Sequence, residues 1–188
     1  LSGLKFATVA QTITTLAVEF DLSLAQIGVL ASIFTIIMVV AGSLIGGFVQ
    51  GVGTKRVLLA ALLVACIGNI VSLSGGSVIT LYAGRAIEGI SLIALTLTAP
   101  TILAQHTAFA HRGWVMGIWG GFMPFGCGLA IIAAPYLIKH GGWQLVWQSG
   151  LVFSVIVCLF GWLFIPNDSR PIRYNFDIVT LRRAVCLP

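Results

Sequence analysis

Three charged side chains interrupt long apolar stretches of this 188-residue chain, namely Lys5, Arg85 and Glu88. A charge in such surroundings is costly unless it has a partner or faces a polar cavity. Arg85 and Glu88 are three residues apart, which places them on one face of a helix. Two interpretations are open: an ion pair that only holds helices together, or a site that binds a solute or moves a proton.

Lys5 carries a further alternative because it lies close to the first residue. It interrupts the apolar segment 1–16, which is shorter than the roughly 20 residues that a membrane-spanning helix needs. We therefore expect this segment to be part of a first helix, and the chain to be a piece of a longer protein. In that case Lys5 either faces the same interior as Arg85 or lies near an end without being buried.

Five stretches of the chain contain no Asp, Glu, Lys or Arg, and they cover residues 22–54, 57–84, 89–111, 113–138 and 140–167. Each can supply the roughly 20 apolar residues of a transmembrane helix, and a soluble domain of this length has too little interior to hide five of them. Hydrophobic residues make up 59% of the chain and charged residues 8%, whereas ordinary globular domains are about 25% charged. The sequence therefore predicts an all-α, multi-pass integral membrane protein.

Short polar breaks divide the chain into about six transmembrane helices, the first of them truncated. The predicted helices are about 1–16, 26–49, 57–73, 78–103, 113–138 and 143–165. Together they form a bundle over 1–165, followed by a linker or tail over 166–188. Seven Lys and Arg residues fall on one side of this map and one on the other. Cytoplasmic loops carry the excess of basic residues, so we expect the 50–56 loop and the tail to be cytoplasmic.

Small residues and prolines mark places where helices can pack closely or bend. Glycines at helical spacing let two backbones approach, and proline removes a backbone donor and kinks a helix. These positions are either plain packing contacts or surfaces that rock against partners. The candidate packing and hinge residues are Gly42, Gly89, Pro100, Gly117, Gly121, Pro124 and Gly126.

The sequence gives no sign of covalent or metal chemistry. Its four cysteines have no paired spacing, and no zinc pattern, phosphate-binding loop or nucleophile elbow occurs. We therefore expect no cofactor, no metal and no enzymatic activity. The basic residues lie in loops and the tail rather than on one face with interleaved aromatics, so a nucleic-acid partner is not expected.

Several segments in order resemble the N-terminal six-helix half of a Major Facilitator Superfamily (MFS) transporter. They read EFDLSLAQIGVLAS, GGFVQGVGTKRVLL, LYAGRAIEGI and RGWVMGIWGGFMPFGCGLAIIAAPYLIKHGGWQLVW. The helix-four signature of that family, Arg-x-x-x-Gly, matches at Arg85 and Gly89, with Glu88 where glutamine is common. The Gly-rich run 117–128 is similar to the family's hinge helix.

The turn after the second helix resembles the family's gating-loop motif, Gly-x-Leu-Ala-Asp-Arg-x-Gly-Arg-Lys. Gly46, Gly53 and Lys55 match this pattern, and Arg56 follows them. Gln50 stands at the acidic position of the motif, so this chain departs from the usual gating ion pair.

The resemblance implies two six-helix bundles with a binding site at the midplane between them. In that family the first and fourth helices line the cavity, which would place Lys5 and Arg85 there. The implied function is secondary active transport of a small solute by alternating access, and the alternative is a membrane scaffold or regulatory protein that kept the bundle and lost transport. The implied partners are membrane lipid, a C-terminal half and a small solute. The two cations, Lys5 and Arg85, favour an anionic solute, and coupling to protons is left open. The expected location is the bacterial inner membrane.

Overall fold

The computed structural model describes residues 1–74 and 76–165, without the side chains of 43, 44 and 47–51. Within this part all regular structure is helical. The helices are α1 (Ser2–Glu19), α2 (Leu24–Val52), α3 (Thr54–Ser74), α4 (Val78–His106), α5 (Arg112–Gly120) and α6 (Phe122–Phe164), with a short 3₁₀ turn at Phe109–His111. The predicted linker or tail, 166–188, lies outside the described residues.

Four stretches of the described residues are long and apolar enough to cross a membrane, namely Leu24–Gly42, Thr54–Ser74, Val78–His106 and Phe109–Phe164. The last stretch is 56 residues long, and α6 breaks within it, because Gly141 (φ −156°, ψ 22°) and Gly142 (φ 67°, ψ −167°) are not helical. This break separates a first arm, 122–140, from a second arm, 143–164. The predicted all-α membrane bundle is therefore confirmed.

The second and third helices extend further than the sequence predicts. The expected seven-residue turn over 50–56 shrinks to Gly53, which separates α2 from α3 at a φ of 99°. Only glycine adopts that φ without strain, so one residue is enough to reverse the chain. At the other end of α2, the Ser23 hydroxyl accepts from the Gln26 amide while the Gln26 side chain accepts from the Ser23 amide. This capping box starts the helix at Leu24.

The predicted fifth helix, 113–138, is divided near its first third. α5 ends at Gly120, and the Gly121 amide donates to the Ile118 carbonyl three residues back rather than four. Pro124 explains the break, because it has no N–H to donate to the carbonyl four residues before it. α4, in contrast, continues as a helix through Pro100 to His106.

The two ends of the bundle are packed differently. The turns around residues 20–23 and 141–142 define one end, called here the Glu19 end, and Gly53 with the 107–111 connection defines the other, the Gly53 end. The main apolar core lies toward the Glu19 end, where Leu16, Leu30 and Leu81 are fully buried. The Trp143 indole N–H donates to a Glu19 carboxylate oxygen at 2.7 Å, which ties α1 to the second arm of α6.

The Gly53 end contains an apolar cavity of about 420 Å³. Residues from α1, α3, α4, α5 and α6 line it, including Leu1, Leu58, Leu62, Leu95, Trp119 and Phe160. The main core and this cavity lie toward opposite ends of the described bundle.

Close helix contacts depend on glycines, and two of them are among the predicted packing residues. A Cβ atom at Gly89 would lie 2.8 Å from the Phe34 carbonyl oxygen in α2. One at Gly126 would lie 2.8 Å from the Gly3 Cα atom in α1. Both distances are too short for a side chain, so α2–α4 and α1–α6 packing requires glycine at these positions.

The other predicted packing glycines make looser contacts. A Cβ atom at Gly42 would touch only the Ile93 side chain, at 3.6 Å, and one at Gly121 only a carbonyl of its own turn. At Gly46 and Gly117 a Cβ atom would meet no described atom within 4 Å. A role for Gly46 and Gly117 as contact surfaces within this bundle therefore has no support among the described residues.

Candidate functional site

The three charges singled out in the sequence meet in the interior of the bundle. The Lys5 ammonium lies 2.9 Å from Glu88 Oε1, and Arg85 Nη1 lies 2.5 Å from Glu88 Oε2. Their side chains are between 2% and 7% exposed. One carboxylate therefore bridges two cations that come from different helices, α1 and α4. We call these three residues the triad.

Backbone and aromatic groups complete the surroundings of the triad. Lys5 Nζ also donates to the Ala65 carbonyl oxygen at 3.3 Å, and Arg85 Nη1 donates to the Lys5 carbonyl oxygen at 3.3 Å. The Arg85 guanidinium lies 4.4 Å from the centre of the buried Phe34 ring, within the range of a cation–π contact. Helices α1 to α4 all contribute to the site.

Glycines explain why Glu88 can lie against α3. A Cβ atom at Gly68 would lie 2.8 Å from Glu88 Cγ, and one at Gly84 would lie 2.6 Å from the Gly68 carbonyl oxygen. Without these side chains α3 and α4 approach closely, and the carboxylate reaches the level of Ala65. The buried Asn69 amide also donates to the Ala65 carbonyl, at 3.1 Å, and so shares the acceptor of Lys5.

The geometry decides between the alternatives for placement that the sequence left open. Lys5 is buried and ion-paired with Glu88. The alternative in which it lies near the end of the chain without being buried is therefore excluded. An isolated Arg85–Glu88 pair is also an incomplete description, because Lys5 adds a second cation. Two cations and one carboxylate leave one positive charge in excess at a buried place, which is costly inside a membrane protein.

The gating-loop residues lie apart from the triad, at the Gly53 end. The Lys55 ammonium donates to the carbonyl oxygen of Ile165, the residue that caps α6. A cation is stabilised at the C-terminal end of a helix dipole. Arg56 is exposed, and the side chain of Gln50 lies outside the described residues. The loop thus contacts the end of α6 within this half.

Sequence reasoning missed three contributors to the site: Phe34, the Ala65 carbonyl and Asn69. Asn69 had a readable signal, since a lone amide inside an apolar helix rarely lacks a partner. Phe34 and Ala65 had none, because an apolar residue at helical spacing looks the same whether it faces a cation or a lipid. Among the described residues no group of His, Cys, Asp and Glu side chains has the arrangement of a metal site.

Comparison with known proteins identifies the family. The family model described as Major Facilitator Superfamily matches residues 1–180. The chain belongs to the Major Facilitator Superfamily. As an MFS protein with this helical composition it is an integral, multi-pass membrane protein, and the match is consistent with the N-terminal half of the family fold.

Curated relatives of this MFS chain carry the names of several kinds of transporter. Myo-inositol transporter 3 of Cryptococcus neoformans is 27% identical over 165 residues, which is 87% of this chain and 28% of the relative. Vacuolar membrane amino acid uptake transporter fnx2 of Schizosaccharomyces pombe is 27% identical over 172 residues, or 90% of this chain and 30% of the relative. Multidrug transporter QDR2 of Candida glabrata is 22% identical over 163 residues, covering 85% and 27%. The chain thus spans less than a third of the length of these relatives.

Proposed function

We propose that this chain is the N-terminal half of a secondary active transporter that moves a small solute across a membrane by alternating access. The observation that carries the proposal is the buried triad of Lys5, Arg85 and Glu88. Ionisable groups inside a membrane-spanning bundle are rare, and they mark solute or proton pathways. Family membership and the transporter names of the relatives support the same direction.

Two glycines on the surface of the bundle suit a rocking motion. Alternating access in such folds is largely rigid-body movement of one bundle against the other around a fixed site. A Cβ atom at Gly46 or Gly117 would meet no described atom within 4 Å, so we propose that these two glycines face the C-terminal half, where small residues permit close sliding contact.

Coupling to protons and a preference for anions are finer parts of the same proposal. Proton coupling would use Glu88, the one carboxylate of the triad. A solute with a negative charge would offset the excess positive charge of the triad. The Gly53 end faces the cytoplasm in this proposal, by the distribution of basic residues, and the membrane is the bacterial inner membrane.

The test is uptake by the full-length protein in proteoliposomes. Radiolabelled myo-inositol, a mixture of amino acids and acetate are offered in turn, with and without an imposed pH gradient. Uptake of one of them above empty liposomes, abolished in Arg85→Met, supports the proposal. A properly inserted protein that takes up no solute from a wide panel would favour the alternative, a membrane scaffold or regulatory protein that has lost transport.

Coupling is read from the same experiment. If protons drive the transport, a protonophore lowers accumulation to the equilibrium level while solute exchange continues. Accumulation that is insensitive to the protonophore would remove proton coupling from the proposal and leave transport itself standing.

A further inference from the structure

The carbonyl oxygen of Ala65, inside α3, accepts hydrogen bonds from two side chains. The Asn69 amide donates to it at 3.1 Å and the Lys5 ammonium at 3.3 Å. In an α-helix such a carbonyl also accepts the backbone N–H four residues further on, and its oxygen has only two lone pairs. Three donors therefore share one acceptor, and the Asn69 amide limits how strongly the ammonium is held on α3.

The amide and the ammonium differ in the acceptors that remain for them. The Asn69 nitrogen has one acceptor among the described residues, the Ala65 carbonyl, whereas the Lys5 ammonium also reaches Glu88 Oε1 at 2.9 Å. Asn69, Ala65 and Lys5 are all buried, and leaving a buried donor unsatisfied costs free energy. The best division of acceptors thus places the amide on the carbonyl and the ammonium on the carboxylate.

The second arm of α6 leaves room for the Asn69 side chain. A Cβ atom at Gly150 would lie 3.8 Å from Asn69 Oδ1 and 4.0 Å from the Leu4 side chain of α1. Asn69 therefore lies where α1, α3 and α6 meet, and its amide is an interior group rather than a lipid-facing one. A polar side chain in this position acts on the neighbouring ammonium without adding a charge.

We propose that Asn69 is a positioning residue, which keeps the Lys5 ammonium directed at Glu88 by occupying the carbonyl that would otherwise hold it on α3. The inference rests on the proposed transport function, because the triad carries that function. When the amide is removed, a lone pair of the Ala65 carbonyl becomes free. The ammonium then shifts from the carboxylate in α4 toward α3, and the bridge between α1 and α4 weakens.

A double-mutant cycle on the unfolding temperature of the full-length protein tests this sharing. The variants are Asn69→Leu, Lys5→Met and the two together. When two donors share one acceptor, the loss of either is partly offset because the other gains the lone pair. The double variant should therefore lower the unfolding temperature by more than the sum of the two single shifts, as coupled neighbours do not add.

The matched control for the cycle is Ser72→Ala. Ser72 is also a buried polar residue of α3, but its hydroxyl has no hydrogen-bond partner among the described residues. Its shift in unfolding temperature should add to that of Lys5→Met.

A conservative variant separates the hydrogen bond from the packing of the side chain. A threonine hydroxyl in a helix can donate to the carbonyl four residues back, as Thr12 and Thr98 do in this bundle. Asn69→Thr therefore keeps a donor on the Ala65 carbonyl and should retain the wild-type half-saturation of uptake in proteoliposomes. Asn69→Leu should change that value at least about twofold, the lower limit for residues coupled in one network. The probe is whichever of radiolabelled myo-inositol, amino acids or acetate the wild type takes up.

Four outcomes overturn the inference: additive shifts in the cycle, a double variant that loses less than the sum, uptake by Asn69→Leu with the wild-type half-saturation, or Asn69→Thr behaving like Asn69→Leu. If Asn69→Leu does not fold, Asn69→Ala replaces it with the same expectations. The cycle needs no solute, so it decides the role of Asn69 even where the wild type takes up none of the probes. That result would count against the transport proposal alone.

Discussion

Removing Glu88 should destabilise this protein far more than removing Lys5, although both changes take away one buried charge. Glu88 is the sole carboxylate of the triad, with hydrogen bonds of 2.9 and 2.5 Å to the two cations. Glu88→Gln leaves Lys5 and Arg85 side by side without a counter-charge. Lys5→Met instead leaves the Arg85–Glu88 pair intact and neutral.

The magnitudes follow from the burial of the three groups. Breaking a buried ion pair by removing one partner costs about 3–5 kcal/mol, because the other charge stays buried and unpaired. We expect Glu88→Gln to fall in this range. Lys5→Met should cost only about 0–2 kcal/mol, because the two hydrogen bonds of the ammonium are lost but the uncompensated charge is removed with them.

A triple variant separates charge from packing. Lys5→Met with Arg85→Met and Glu88→Met removes all three charges and keeps side chains of similar volume. Replacement of a buried ionic cluster by apolar residues is often neutral or stabilising, so the triple variant should lie within about 1 kcal/mol of the wild type. The double change Arg85→Ala with Glu88→Gln is a poorer test, because it leaves Lys5 charged and alone.

The assay is thermal unfolding of the full-length protein in one detergent, with membrane insertion and elution volume checked for each variant. The expected order of stability is wild type and triple variant first, then Lys5→Met, then Glu88→Gln. A Glu88→Gln protein as stable as Lys5→Met would refute the reasoning, since it would mean that the carboxylate does not hold the two cations in the folded protein.

Three further predictions concern packing and topology. Gly126→Ala should destabilise the protein by about 1–3 kcal/mol in the same unfolding assay, because its Cβ would overlap Gly3 in α1. Gly128→Ala is the matched control, because a Cβ atom there would meet no described atom within 4 Å. Equal effects of the two changes would contradict the α1–α6 contact. Gly46→Leu should leave the unfolding temperature unchanged and stop uptake, and normal uptake would show that this surface does not contact the second half. Cysteines at Arg56 and His140, both exposed, should react with impermeant maleimide from opposite sides of the membrane, and labelling from the same side would contradict the topology.

The helical bundle was readable from the sequence because charge is so unevenly distributed along it. Uncharged stretches long enough to span a membrane gave the helices, and the glycines at 53, 141 and 142 lie where the chain turns. The ends of the helices were less accurate. α2 and α3 meet at one glycine because Gly53 alone can supply the positive φ, which no count of polar residues reveals. The helix breaks at Gly121 because Pro124 has no N–H to donate to the carbonyl four residues before it. The sequence predicts only a kink at this proline.

The site was predictable residue by residue but not as an arrangement. Lys5, Arg85 and Glu88 were conspicuous as charges in apolar surroundings, and helical spacing put two of them on one face. That Lys5 reaches Glu88 depends on the approach of α1 and α4, and the position of Glu88 depends on Gly68 in α3. Lys5 and Glu88 are 83 positions apart, and Gly68 lies on a different helix from Glu88, so no local pattern encodes these contacts. The excess charge of the site follows only from that arrangement.

The central claim is that the triad works in transport rather than only holding helices together. The most direct measurement compares solute uptake by the wild type and the triple variant, Lys5→Met with Arg85→Met and Glu88→Met, in proteoliposomes with equal amounts of correctly inserted protein. If the triad works in transport, the triple variant unfolds at the same temperature as the wild type and transports nothing above empty liposomes. A triple variant that is stable and transports at the wild-type rate would contradict it, and would reduce the triad to a structural cluster.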